Sequence, residues 1–124
     1  MTFQQLIDDL KATSGIIRSR AAADLGKLGD ARAAAPLLAA LADANPSVRS
    51  NAAFSLGEIS AAQATPALIG LLQDPDEFVR KSAAKGLGLL GDPAARIPLS
   101  AAADDPSPVV RRNALRSLEM LRTP

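Results

Sequence analysis

Acids, lysines, arginines and hydroxyls are the groups in this chain that could do chemistry, because it has neither Cys nor His. Their absence removes thiolate nucleophiles, disulfides, imidazole bases and the donor sets of zinc or haem, so no cofactor or metal is expected. Ser82-Ala83-Ala84-Lys85 matches S-x-x-K, in which a lysine activates a serine, but the companion S-D-N and K-T-G elements are missing. Ser82 and Lys85 then read as solvated neighbours on one helix. Gly86-Leu87-Gly88-Leu89-Leu90-Gly91 spells the dinucleotide fingerprint, yet no strand precedes it to form the turn that cradles a pyrophosphate. Asp8, Asp9, Asp30, Asp74, Asp76, Asp92, Asp104 and Asp105 fall mostly where carboxylates cap helices and turns. With no catalytic constellation, the chain is expected not to be an enzyme.

A repeated cation is more informative. Arg18, Arg49, Arg80 and Arg111 recur every 31 residues, each after an Ile or Val: Ile17, Val48, Val79 and Val110. At about 100° per residue each arginine falls inside the apolar arc of its helix, where an unpaired guanidinium carries a desolvation cost. Asp43, Asp74 and Asp105 stand five residues before their own Val, whereas the first unit has Ala12. Three aspartates for four arginines imply a ladder in which each Asp reaches an Arg of the adjoining unit.

The elements that position these groups follow from the same period. Four units of 31 residues fill the 124-residue chain. Four residues after each Ile/Val come Ala21, Ala52, Ala83 and Ala114; eight after come Leu25, Leu56, Leu87 and Leu118. Leu28, Ile59, Leu90 and Leu121 complete one stripe of a helix. Upstream, Leu6, Leu37, Leu68 and Leu99, with Leu10, Leu41, Leu72 and Ala103, mark a shorter first helix, and Pro36, Pro66 and Pro98 lie near its start. Asn45-Pro46, Asp74-Pro75 and Asp105-Pro106 separate the two helices, Gly29 and Gly91 end the second, and Thr2 with Gln5 forms a capping box.

One hairpin cannot bury its own stripe, but stacked neighbours can. The expected fold is therefore all-α: a right-handed superhelical solenoid of four hairpins and eight helices, spanning approximately 2–29, 33–60, 64–91 and 95–122 in one domain. Hydrophobic residues make up 48% of the chain, mostly small and aliphatic, with three Phe and no Trp or Tyr, which suits close helix packing and disfavours sheets. Ser100 and Ala103 replace larger residues, and Leu115 replaces Ala22, Ala53 and Ala84, so the last hairpin is expected to pack differently. No signal segment or long apolar run is seen, and a cytoplasmic protein without a membrane anchor is expected.

The units from Ile17 to Asp30 and from Val79 to Asp92 read Val-Arg-x-x-Ala-Ala-x-x-Leu-Gly-x-Leu-Gly-Asp, with Ile for Val in the first. They resemble the HEAT-like repeats of the phycobilisome-lyase type. Val48 to Ala61 departs at Ser60 and Ala61, and Val110 to Thr123 departs at Glu119, Arg122 and Thr123. The resemblance implies the solenoid fold and a range of roles, from bilin lyases to adaptors. Ankyrin and TPR repeats have similar periods, but the ankyrin His and the TPR Trp and Tyr are absent.

On the second helices, positions 2, 3, 6 and 10 after the Ile/Val point away from the stripe, toward the expected concave surface. They include Arg20, Lys27, Asn51, Phe54, Glu58, Lys81, Lys85, Leu89, Arg112, Asn113, Arg116 and Met120. Six of the face's residues are basic and one is acidic, which gives this face +5 in a chain whose net charge is +1. Exposed apolar residues amid such charge form a candidate anchor for an acidic partner protein. Nucleic acid is the poorer fit, since no aromatic ladder is present and Glu58 interrupts the strip. A bilin-related activity is implied only by the resemblance. Leu115 and Leu118 lack a following unit to cover them, so a monomer or a weak dimer through the terminal repeat is expected.

Overall fold

A computed structural model describes residues 1–122, and Thr123 lies outside the described residues. Among them are eight α-helices and no strand: α1 (Phe3–Asp9), α2 (Gly15–Leu28), α3 (Ala34–Ala40), α4 (Pro46–Glu58), α5 (Thr65–Leu71), α6 (Glu77–Leu90), α7 (Arg96–Ala102) and α8 (Pro108–Arg122). The protein is an all-α solenoid. The even-numbered helices are about twice as long as the odd ones, and they stack side by side in the order α2, α4, α6, α8. Each odd-numbered helix packs on the helix that follows it. Among the described residues no helix is long and apolar enough to cross a membrane.

Small residues make the stack possible. Ala22, Ala53 and Ala84 are fully buried between even-numbered helices, and Gly57 lies so near Gly86 that an added Cβ would stand 2.8 Å from the Gly86 Cα. Leu25, Leu56 and Leu87 are fully buried in one cluster with Leu37, Leu68 and Leu99 of the odd-numbered helices. Full burial of each leucine stabilises the fold by about 1.5–3 kcal/mol. The first unit differs: Ile17 and Leu28 sit on the apolar pattern yet are 41% and 48% exposed, since α2 has a neighbour on only one side.

Helix ends are set locally. Thr2 and Gln5 form the capping box of α1, with Gln5 N donating to Thr2 Oγ1 and Thr2 N to Gln5 Oε1. Ser14, Asn45 and Asp76, spaced 31 apart, cap α2, α4 and α6. Pro46 therefore opens α4 as its first residue instead of belonging to the turn. Gly29 and Gly91 take left-handed φ values of 75° and 70° after α2 and α6, and Ser60 does the same at 58° after α4. Between units the chain makes a 3-10 turn at Ala31–Ala33, Ala62–Ala64 and Pro93–Ala95, which the periodicity did not anticipate.

Candidate functional site

The repeated arginines clamp the loops on one edge of the stack. Arg18 donates Nε and Nη2 to the two carboxylate oxygens of Asp43 at 2.9 and 3.2 Å; Arg49 does the same to Asp74 at 3.0 and 3.1 Å, and Arg80 to Asp105 at 2.9 and 3.2 Å. Nη1 of each turns back to two carbonyls in its own loop, Ala12 and Thr13 for Arg18 and the matching pair in later units. Each aspartate also accepts the backbone N–H two residues on, which helps to fix its rotamer toward the arginine. The bonds from Arg18 hold the Asp43 carboxyl below its usual range, against the effect of burial. At Asp105 burial works the other way and is the largest influence, but the bonds from Arg80 and Ser107 N and the nearby Arg80 and Arg111 charges together still lower it. Bonding to Asp43 and Asp105 likewise raises Arg18 and Arg80. Arg111 keeps its two loop carbonyls, from Asp105 and Pro106, and among the described residues no aspartate pairs with it as Asp43, Asp74 and Asp105 pair with the other three.

The open face of the even-numbered helices is narrower than its arithmetic implied, because each inner helix has a neighbour on both sides. Ser82 is buried, not solvated: its hydroxyl meets Ser50 Oγ at 2.6 Å, and Ser50 also donates to Phe78 O. Asn51 is half-buried, with Nδ2 donating to Ser19 O and Oγ at 2.9 and 2.8 Å, so it serves the α2–α4 joint. Asn113 returns its amide to Val109 O in its own helix. Lys27 stands apart, at the end of the stack near Met1, Leu6, Asp24 and Leu28. Arg20, Arg112 and Arg116 are exposed, as are Glu58, Leu89 and Met120. Glu58 and Leu89 reach over Gly26 and Gly57 of the preceding helices.

Phe54 and Lys85 come together from adjacent helices, with the Lys85 ammonium 5.1 Å from the ring centre. A cation on an aromatic face is held by the ring quadrupole while its outer side stays free for an anion. A second such pair escaped the sequence pattern: Phe78, 55% exposed, carries Lys81 at 5.8 Å. It overlooks a groove of about 250 Å³ lined by Ser19, Pro46, Ser47, Ser50, Asn51 and Asp76. The available signal was one of only three Phe, one residue before Val79 and so about 100° from the apolar stripe, at the angle of the open face. Among the described residues no group of acids could hold a metal ion.

Helical hairpins joined through their second helices define an α-solenoid. The sequence matches the HEAT repeats model over residues 34–119 and the PBS lyase HEAT-like repeat over residues 17–43, and the chain belongs to the HEAT-repeat family. Human deoxyhypusine hydroxylase, solved with glycerol, is similar at 30% identity, over 98% of this chain and 43% of its own, with a TM-score of 0.78. The complex of CpcE and CpcF of phycocyanin lyase from Nostoc sp. PCC7120 matches at 24% identity over 98% of this chain and 65% of that one, TM-score 0.73. A designed armadillo repeat protein matches at 25% over 96% and 64%, TM-score 0.74. The chain thus spans less than two thirds of the length of each of these structures. No curated protein matches it by sequence.

Proposed function

We propose that this chain is a non-catalytic scaffold that binds an acidic segment of another protein along the open face of its even-numbered helices. The observation that carries the reading is the Phe54–Lys85 pair, set between Arg20 on one side and Arg116 and Arg112 on the other. A carboxylate meeting Lys85 sets its apolar neighbours beside Phe54 and Leu89, which gives charge for selection and ring area for retention. The backbone beneath is stiffened by the Arg–Asp ladder, so little ordering is required on binding. A scaffold role also suits membership of a family whose arrays present extended surfaces.

The test is affinity capture from the source organism, with the retained proteins identified by mass spectrometry, comparing wild type with Lys85→Glu/Arg116→Glu. The charge-reversed protein should keep its helicity and lose its partner, and Phe54→Ala should raise the off-rate several-fold or more. Gln4→Glu and Gln73→Glu on the other layer should change neither. Loss of the partner in those controls, with retention by the Lys85/Arg116 variant, would put binding on the odd-numbered helices. Steeply salt-dependent binding to random duplex DNA would favour a nucleic-acid module instead. A spectral shift on titration with a bilin would favour the role suggested by the lyase-type repeat.

A further inference from the structure

Neighbouring even-numbered helices lie level with one another. Ser55 Oγ donates to Ala22 O at 2.6 Å and sits over Gly26; Ser117 Oγ donates to Ala84 O at 2.7 Å and sits over Gly88. Residues equally far from the Ile/Val of their units therefore stand side by side, and Phe54 meeting Lys85, both at the sixth position, is one such pair. The same step taken once more sets Arg116 beside Lys85, and at the second position it sets Arg112 beside Lys81. Within each helix the two cations are about 6 Å apart at Cβ, as four-residue neighbours are, and the helices are spaced by about 8–10 Å. Lys81, Lys85, Arg112 and Arg116 thus mark the corners of a small rectangle. Helix α6 has a neighbour on each side and still leaves both lysines only half-buried, so these positions are open on an inner helix.

Like charges four residues apart on a helix repel. Arg18, Arg49 and Arg80 each hold an aspartate, but among the described residues none of the four corner cations is in an ion pair. The nearby acids are engaged elsewhere: Asp76 caps α6 by accepting from Phe78 N and Val79 N, and Glu58 leans over Gly26 toward α2. Rings hold the two lysines instead, Phe78 under Lys81 and Phe54 under Lys85, and each ammonium keeps an outer side for an anion. The charge is also bounded. At the same two positions the earlier units carry Ser19, Ala23, Ser50 and Phe54, and beyond Lys85 and Arg116 stand Leu89 and Met120, 43% and 44% exposed.

Resting on the acidic-segment reading above, we propose that the group this face takes is a phosphorylated side chain of the partner segment, seated among Lys81, Lys85, Arg112 and Arg116. A carboxylate brings a single charge and two oxygens in one plane, enough for two corners. A phosphate monoester brings a charge of about −2 and three terminal oxygens, and each arginine can offer it two parallel N–H bonds. From the middle of the rectangle to the level of Leu89 and Met120 is about 9 Å along the helix axis, which an extended chain covers in about three residues. The segment therefore carries an apolar side chain three residues from its phosphate. A nucleic-acid strand fits poorly, because its charges recur without a gap and the next ones would fall on Leu89 and Met120 or on Ser50 and Phe54.

NMR titration of the whole chain with short synthetic peptides reads even weak binding and shows where it falls. One peptide is alanine and glycine with a phosphoserine and a leucine three residues to either side of it; others have aspartate for the phosphoserine, or lack the leucines. The phosphopeptide should bind about tenfold or more tighter than the aspartate peptide and shift the amides of residues 81–89 and 112–120, and loss of the leucines should weaken it several-fold. Lys81→Gln/Arg112→Gln and Lys85→Gln/Arg116→Gln should each lose about tenfold with circular dichroism unchanged, whereas Lys11→Gln/Arg32→Gln, the same loss of charge elsewhere, should bind as wild type does. No phosphopeptide binding, an aspartate peptide that binds equally, or a Lys11/Arg32 variant that weakens as the others do would overturn the proposal. So would equal binding of inorganic phosphate, or tighter binding of a duplex oligonucleotide or phosphatidylserine vesicles. Affinity capture from a phosphatase-treated lysate separates the two readings. A partner still retained there, yet lost by Lys85→Glu/Arg116→Glu, ends the phosphate proposal and leaves the acidic-segment scaffold standing; a partner that the charge-reversed variant keeps in either lysate ends both.

Discussion

Replacing Asp74 by Ala is the sharpest probe of the ladder. Asp74 accepts three bonds, from Arg49 Nε at 3.0 Å, Arg49 Nη2 at 3.1 Å and Asp76 N at 2.9 Å, and its side chain is 7% exposed. Its loss leaves the outer edge of the Arg49 guanidinium, at the joint between α4 and α6, without an anion. Breaking a fully buried pair costs about 3–5 kcal/mol, but the Arg49 side chain is 17% exposed, so water reaches it and the expected loss is about 2–3 kcal/mol. For a chain of this size that lowers Tm by roughly 10 °C. Asp76 is a poor control because it caps α6, and Asp76→Ala should itself cost about 1 kcal/mol. Asp104 is exposed, and Asp104→Ala should stay within about 0.5 kcal/mol of wild type. Calorimetry of the three, with a double-mutant cycle against Arg49→Met, measures the pairing. An Asp74→Ala protein melting with Asp104→Ala, or a cycle showing no coupling, refutes the ladder as a source of stability.

Acid should loosen the same joints. Asp43 and Asp105 titrate lower folded than unfolded, so their contribution is complete above the unfolded value of about 4 and is lost as pH falls through the lower folded values. Melting should be nearly flat from pH 8 to 5, where no histidine titrates, and Asp43→Asn/Asp105→Asn should lose less stability than wild type on acidification; equal acid losses would contradict this. Ser60→Gly should raise stability by about 1 kcal/mol, because Ser60 holds a left-handed φ of 58° that glycine adopts freely; an unchanged or lower Tm counts against that origin. Gly57→Ala should cost about 2–3 kcal/mol through its clash with Gly86 backbone, while Gly70→Ala, in open space, should be neutral or stabilising. Amide exchange should be faster in α7 and α8 than in α4 and α6, and the reverse order would show that the altered residues of the last hairpin do not thin its packing.

The solenoid was readable because its period repeats four times over, and chance does not align Leu25, Leu56 and Leu87 with Arg18, Arg49 and Arg80. The partners of Arg18, Arg49 and Arg80 were also readable, since Asp43, Asp74 and Asp105 were the acids in register and Ala12 left one place empty. The open face was read less well for a definite reason. A helical wheel assigns one buried arc, whereas α4 and α6 are pressed between two neighbours and bury a second arc, which takes in Ser55, Ser82 and Gly86. Three-residue 3-10 turns carry no period at all, and Phe78 shares the angle of the open face but precedes Val79, outside the positions after the Ile/Val that defined that face.

Each unit is tied to the next at two opposite edges by bonds of unlike strength. Along one edge the backbone itself passes through a short 3-10 turn; along the other, side-chain contacts cross the gap, the Arg–Asp pairs among them. The array is thus bound like a book, with a spine and a row of clasps. A pull that flattens its curvature meets an inextensible covalent side and an ionic side that can release one clasp at a time. Bending therefore has a direction: the hairpins fan open about the spine, and the force required falls with acid or with loss of a single aspartate.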